Sequence, residues 1–445
     1  MKKLIGIIAL ILVVCCSVVL FVSIKGKEKN NSAVQKVKKV ALKKGEIRLG
    51  VMLPGDETDS FSKNQIESIK KAAKDSNISE KNIVWKTQVK GSSDCKDAMS
   101  EFDEVNCTHV FVTNERVAST IYEKAADYPN TKFFVYGGTA AKISKVKNVY
   151  DYSLRDSEYR YISGVLSGMK IQELKAQNAL LPENLDEKGN VKLGFVGSYK
   201  NPKTISAYSA FYLGVKSVLP EVTMEVEYID GKNNVNNEGT AVQRLMSRGA
   251  VVIGYDTNSL SIPTVVQAQK NGGKNVYFVS ANSNMLDSAP TAQLFAETNK
   301  FENVYKDIIE KSKNKEKISK DLSYGYKEDA LEITSFGPEA PANAQETVNT
   351  LQEQFKQDQI KVFDTSKFKV NGSELTKATI DLSFYEDDEK EPVYKGKNKN
   401  AIVENGDVKY FSESTLRCAP YFNYIIDGIK EMNVGELQPD RKSVV

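Results

Sequence analysis

The chain has 445 residues, 40% of them hydrophobic, and its 61 basic and 58 acidic side chains leave a formal charge of +3. That length predicts roughly two to three domains at about 150 residues each, with apolar material for full cores, and the balanced charge offers nothing to a nucleic acid. A single histidine excludes histidine-rich metal sites, and His109, inside the apolar run THVFV, reads as a strand residue rather than a base.

In chain order, residues 4–24 carry no charge, and 21 residues are enough to span a bilayer, which takes about 20. A cleaved signal peptide is the rival reading, but no A-x-A site is visible, and Val14 before Cys15 makes a poor lipidation signal. The expectation is an uncleaved anchor with the bulk of the chain outside the cytoplasm. Residues 25–45, rich in lysine, read as a basic linker.

From residue 46 strands and helices alternate. Ile47, Leu49, Val51 and Leu53 mark a strand over 47–53, which Pro54 and Gly55 stop. A polar loop from Asp56 to Ser60 leads to Phe61, and Ile66, Ile69 and Ala73 then follow at helical spacing over 62–75. Further helices are expected near 94–105, 116–128, 202–218, 237–248 and 262–272.

The pattern repeats at a fixed offset. Ile47-Arg-Leu-Gly-Val-Met answers to Val191-Lys-Leu-Gly-Phe-Val, Thr113-Asn114 to Thr257-Asn258, and Phe133-Phe-Val to Tyr277-Phe-Val, each 144 residues on (191 − 47, 257 − 113, 277 − 133). The reading is two Rossmann-like α/β lobes with parallel sheets.

Residues 150–176 join the lobes as a strand and a helix, in which Gly164 and Gly168 permit close packing. Beyond 290 come a strand from Leu294, a helix over 301–311, an extended stretch over 322–333 and a helix over 342–357. Lobe one is therefore assigned 46–150 plus about 292–325, and lobe two 151–291 plus about 326–368. Residues 369–445 read as an extension strapped across the domain, with one apolar patch, Ala419 to Ile429.

Cys95 and Cys107 bracket an expected helix; twelve residues of helix (107 − 95) put them about 18 Å apart, whereas a disulfide needs about 7 Å, so they are not expected to pair. No GxxxxGK[ST], GxGxxG after a strand, HExxH or GxSxG is present. Asp56 and Asp59 could form a carboxylate dyad or a metal site, but a solvated loop with a helix cap explains them more simply, and Ser60 has no base beside it. No cofactor is expected.

What remains is a binding site. Open α/β sheets take ligands at the carboxyl ends of their strands, and the loops there offer short polar and aromatic side chains. In lobe one these are Asp59, Ser60, Phe61, Asn114 and Tyr136; in lobe two they are Tyr208, Asp256, Asn258, Ser280 and Asn282. Each has a structural alternative: Phe61 as a helix staple, Tyr208 as a helix-surface residue, and the Asn and Asp as turn formers.

Over about 46–365 the chain resembles the basic membrane protein family, whose known members serve as nucleoside receptors of ABC importers. The family's D-x-S-F loop and GLKKA helix end are similar to Asp59-Ser60-Phe61 and SIKKAA, and its PDVKF to Pro129-Asn-Thr-Lys-Phe133. Its EGSFLAGxxAG resembles the run from Glu158 to Gly168, its KVGFIGG the run Lys192 to Ser198, its FxxGVK the run Phe211 to Lys216, and its GxKDG the run Gly325 to Asp329. The resemblance implies a type I periplasmic-binding-protein fold, a nucleoside as ligand, ABC permease subunits as partners and no catalysis. It also implies that Phe61 stacks on the base and that Lys327 reaches the ligand near the hinge. Gly137, Ser280 and Asn282 stand where the family has aspartates, and Ser62 where it has asparagine. A membrane-anchored sensor with the same clamp is the alternative to an importer component.

Overall fold

The computed structural model describes residues 42, 45–232, 234–386 and 390–434, so the apolar run 4–24 and nearly all of the basic linker lie outside the described residues. The first half of the chain runs β1 (Leu49–Met52), α1 (Ser60–Asp75), β2 (Ile83–Lys86), α2 (Ser92–Glu104), β3 (His109–Val112), α3 (Ala118–Lys124), β4 (Lys132–Tyr136), β5 (Val149–Leu154) and α4 (Asp156–Ala176). The second unit runs β6 (Val191–Gly197), α5 (Pro202–Val218), β7 (Val222–Tyr228), α6 (Val235–Ser247), β8 (Val252–Tyr255), α7 (Ser261–Asn271) and β9 (Tyr277–Ala281). Then come β10 (Gln293–Asn299), α8 (Phe301–Lys313), β11 (Asp321–Tyr324), β12 (Leu331–Thr334) and α9 (Ala344–Lys356). The extension adds β13 (Thr379–Ile380), β14 (Lys399–Asn400), β15 (Ile402–Asn405), β16 (Val408–Phe411) and β17 (Ile429–Glu431).

Two large sheets result. The first has the order β11-β5-β4-β3-β1-β2 and is parallel throughout. The second has the order β12-β10-β9-β8-β6-β7-β17 and is parallel except where β12 meets β10. All four residues of β1, β3 and β8 are buried, as parallel strands covered on both faces must be. The 144-residue offset has a direct structural counterpart: Leu49 of β1 maps onto Leu193 of β6 (49 + 144), and β3 and β4 likewise onto β8 and β9. A contiguous apolar core joins residues from both sheets and the extension, and a smaller one fills the other face of the second sheet.

The chain crosses between the sheets three times: after β5, between β10 and α8, and between β11 and β12. Here the structure corrects two expectations. β10 pairs with β9 in the second sheet, so the return to the first lobe comes near Phe301 and not near 292. The extended stretch 322–333 is two strands in different sheets, separated by a 3-10 turn over Tyr326–Glu328. Its mid-stretch Gly325 marks that break.

Gly164 of α4 and Gly214 of α5 face each other, and a methyl group on either would run into backbone carbonyl oxygen, that of Phe211 or that of Tyr161. Glycine therefore sets how closely these helices approach. Gly164→Ala is expected to cost about 2–3 kcal/mol, the upper range for overpacking a core, and chemical denaturation measures it.

The three described cysteines, Cys95, Cys107 and Cys418, are free and buried. Burial pushes the thiols of Cys95 and Cys107 up to about 12. His109 is a buried strand residue stacked on Phe134; burial, with Lys132 nearby, lowers it to about 3, and the ring is neutral.

Candidate functional site

A cleft opens at the carboxyl ends of the strands, between the two sheets. Phe61, Asn64 and Phe301 line it from the first lobe's side. Tyr255, Thr257, Asn258 and Ser259 after β8, Ala281 to Ser283 and Met285 after β9, and Asn299 at the end of β10 line it from the second. The space is about 460 Å³ counted out to its open mouth, solvent included. No lining side chain is ionised at neutral pH.

Aromatic rings give the cleft its shape. Phe61, in the first turn of α1, lies 6.2 Å from Tyr136 and meets Phe301 edge-on at 6.4 Å. Tyr136 stands behind both, 5.5 Å from Phe301, and does not itself line the cleft. Asn64 follows Phe61 by three residues, which places it on the same helical face; that spacing was available in the sequence.

The polar lining is a chain of amides. Asn299 Nδ2 donates to Asn282 Oδ1 at 3.2 Å, and Asn282 Nδ2 approaches Asn258 Oδ1 at 3.4 Å. Asn282 holds this position with φ of 64°, a left-handed conformation that asparagine tolerates well. Asn299 Oδ1 is buried with no hydrogen-bond partner. A buried amide oxygen without a donor is costly, and it marks where a donor on a ligand would sit.

Of the residues expected from sequence, the structure brings Phe61, Asn258 and Asn282 together in this cleft. Asp59 is the N-cap of α1, accepting from Ser62 N at 2.7 Å. Ser60 opens that helix; its side chain lies outside the described atoms. Asn114 caps the next turn by accepting from Arg116 N, and it donates to Val89 O at 2.9 Å. Ser280 is fully buried and donates to Ser283 O at 2.6 Å.

Asp256, just beyond the end of β8, does not line the cleft, although its neighbours Tyr255 and Thr257 do. It accepts from Ser198 N at 2.6 Å, Ser198 Oγ at 3.0 Å and Thr204 Oγ1 at 2.7 Å, and so ties the start of α5 to the β6 loop. Two expectations are plainly displaced. Tyr208 is buried on α5 and donates to Glu431 Oε1 of the extension at 3.2 Å. Lys327 is exposed on the turn after β11 and is not part of the lining.

Beyond Tyr136 lies a second, charged group of residues that the sequence reading missed. Lys203 Nζ, from the first turn of α5, sits 5.0 Å from the Tyr136 ring centre, a contact between lobes. Burial opposes its charge, but Tyr136, Glu115 and Asp156 outweigh that and hold the ammonium above its usual range. Burial pulls Lys232 down, against Asp256. Lys232 also adjoins the cleft, since its carbonyl accepts from Asn258 N at 2.8 Å. Burial pushes the Asp156 carboxyl up, although Lys203, Arg160 and Lys232 pull the other way, and its Oδ1 has no hydrogen-bond partner. Arg116 Nη2 donates to Tyr199 OH at 3.0 Å, a further bond from lobe to lobe. The signal that could have found these residues is weak: Lys203 follows a helix-opening Asn-Pro, and Asp156 opens the helix after a hinge strand.

Comparison with known proteins bears on this geometry. A purine-binding protein from Brucella abortus is 22% identical over 269 residues, 60% of this chain and 69% of that protein. A putative ABC transporter glucose-binding protein, TsgA13, from Haloferax volcanii is 23% identical over 290 residues, 65% of this chain and 67% of that protein. An ABC transporter system solute-binding protein from Conexibacter woesei superposes with a TM-score of 0.55 at 14% identity, covering 71% of this chain and 98% of that one, and shares its periplasmic-binding-protein-like fold. A family model for ABC transporter substrate-binding proteins of the PnrA-like kind, Bmp, matches residues 47–371. The chain belongs to that family of ABC transporter substrate-binding proteins.

Proposed function

We propose that the cleft binds a purine nucleoside and delivers it to the permease of an ABC importer. Members of this family are non-enzymatic and bind solutes outside the cytoplasm, so a small ligand and permease partners follow from membership. The observation that carries the choice of ligand is the amide chain Asn258–Asn282–Asn299 beside the rings of Phe61 and Phe301, with Asn299 Oδ1 open. A purine offers a flat face to a ring and an edge of alternating donors and acceptors, which asparagine reads well. Uncharged lining suits an uncharged base.

The charged group supplies the other half. Lys203 and Lys232 donate, and Asp156 accepts through its unpartnered oxygen. A sugar hydroxyl both donates and accepts, whereas a phosphate would meet Asp156 and Glu115 as like charges. This arrangement takes the place of the family aspartates that Gly137, Ser280 and Asn282 replace. The lobes act as a clamp whose closed population the ligand raises. We place the apolar run 4–24 as the membrane attachment of the exported chain.

Titration calorimetry of the purified chain with adenosine, guanosine, inosine, adenine and glucose tests the reading. Heat from at least one purine nucleoside, exceeding that from adenine, is the expected result. Binding of glucose with silence from every purine nucleoside would overturn it and favour the sugar reading suggested by the TsgA13 relative.

A further inference from the structure

We infer that the extension, most of which lies beyond the family match ending at residue 371, is a clasp that joins the two lobes and has to release the first lobe before the cleft opens. It rests on the clamp reading only for the existence of a lobe motion, not for the ligand.

The extension is packed against the rest of the fold and is not a loose tether. The Phe422 ring stacks on Phe363 at 4.1 Å and 11°, and Phe411 packs at 5.0 Å from Phe422 and 5.4 Å from Tyr421. β15 and β16 form an antiparallel hairpin beside them. Glu413 accepts from the backbone N–H groups of Tyr421 at 2.9 Å and Phe422 at 2.7 Å. A loose tether would tolerate lobe rotation; a packed body cannot follow two lobes at once.

It holds the second lobe strongly. β17 pairs with β7 in register Ile429↔Met224 to Glu431↔Val226. Glu431 meets Lys200 at 2.5 Å and receives the hydroxyls of Tyr208 and Tyr228. Asn433 brackets the Tyr228 backbone, accepting at 2.9 Å and donating at 2.8 Å. Glu413 takes the Ser206 hydroxyl of α5. Five residues later the chain has reached the first lobe, where Cys418 N donates to Asp321 Oδ1 at 2.7 Å.

Its grip on the first lobe is lighter. Lys142 bridges Asp321 Oδ2 at 2.5 Å and the Leu416 carbonyl at 3.4 Å. The Phe384 and Tyr394 rings lie against Tyr122 at 5.3 and 6.1 Å, and Glu386 accepts from Ser119. Single hydrogen bonds and ring contacts yield before a strand pairing, so the first-lobe contacts are where the clasp lets go.

The test measures lobe separation in the full chain without ligand. Spin labels are placed at Lys96→Cys on α2 and Ala268→Cys on α7, both exposed, with Cys15→Ser and Cys16→Ser as background; the remaining cysteines are buried. The unmodified clasp is expected to give one narrow distance distribution. Lys142→Ala with Phe384→Ala and Tyr394→Ala is expected to add a second, longer population. Lys142→Ala with Glu386→Ala changes only two exposed side chains, leaves the extension's rings alone, and decides the matter if the triple variant fails to fold. An unchanged distribution in that pair overturns the clasp. The assay contains no purine, so a wrong ligand leaves its outcome unaffected.

Discussion

Replacing Glu297 with alanine is expected to destabilise the second lobe by about 3–5 kcal/mol, the cost of leaving one half of a buried ion pair uncompensated. Glu297 on β10 is fully buried and Arg160 on α4 nearly so, with Arg160 Nη1 2.5 Å from Glu297 Oε2. The guanidinium also lies 5.4 Å from the Tyr159 ring and 5.8 Å from that of Phe195, so it cannot swing into water when its partner goes. Burial pushes the Glu297 carboxyl up while Arg160 opposes it. The pair thus fastens the helix after the first crossover to the strand before the second. Urea denaturation measures the loss. The double variant Arg160→Met, Glu297→Leu is expected to recover most of it, because apolar groups of similar volume replace a buried pair at little cost. A Glu297→Ala protein as stable as the parent would show that the pair carries no weight.

Phe61→Ala is expected to weaken nucleoside binding about 5- to 150-fold, from about 1–3 kcal/mol of base–aromatic stacking at 1.4 kcal/mol per tenfold. Phe61 is half-buried at the cleft, with Phe301 edge-on to it and Tyr136 behind. Removing the ring takes the flat surface away while the amide chain stays. Calorimetry reads the change directly. Tyr208→Phe is the matched control, since Tyr208 points to Glu431 and away from the lining, and it is expected to bind as the parent does. Equal affinity in the Phe61→Ala chain would remove stacking from the account.

Much of this architecture could be read from sequence where the physics is local or repeated. The strands of the two units emerged because β1, β3 and β4 recur as β6, β8 and β9 at one offset, and the helix over 202–218 matches α5 at both ends. Phe61 was legible as an aromatic in an otherwise polar loop at a strand's end. Choosing among neighbours needs coordinates: Asp256 and Thr257 are adjacent polar residues after β8, yet Thr257 lines the cleft while Asp256 is taken up by Ser198 and Thr204. Nothing local to Tyr208 shows that it turns from the cleft, because its partner, Glu431, lies 223 residues further on (431 − 208).

The apolar patch Ala419 to Ile429 drew notice as the extension's one hydrophobic stretch, yet most of it is irregular chain packing rings around Phe422. The strand that matters is the short, mostly polar Ile429-Lys-Glu431. Three residues have no periodicity to detect. They are a strand only because β7 offers an unpaired edge.

That pairing has a consequence for how the chain is made. Met224 of β7 and its partner Ile429 are separated by 205 residues (429 − 224). At ordinary synthesis rates, roughly 5–20 residues per second, the outer edge of β7 stays bare for roughly 10–40 s after it emerges. An uncovered edge is a template for strands of other chains. Once β12 ends at Thr334 every other strand of that sheet is in hand, and the edge of β7 still waits a further 95 residues (429 − 334) for its cover.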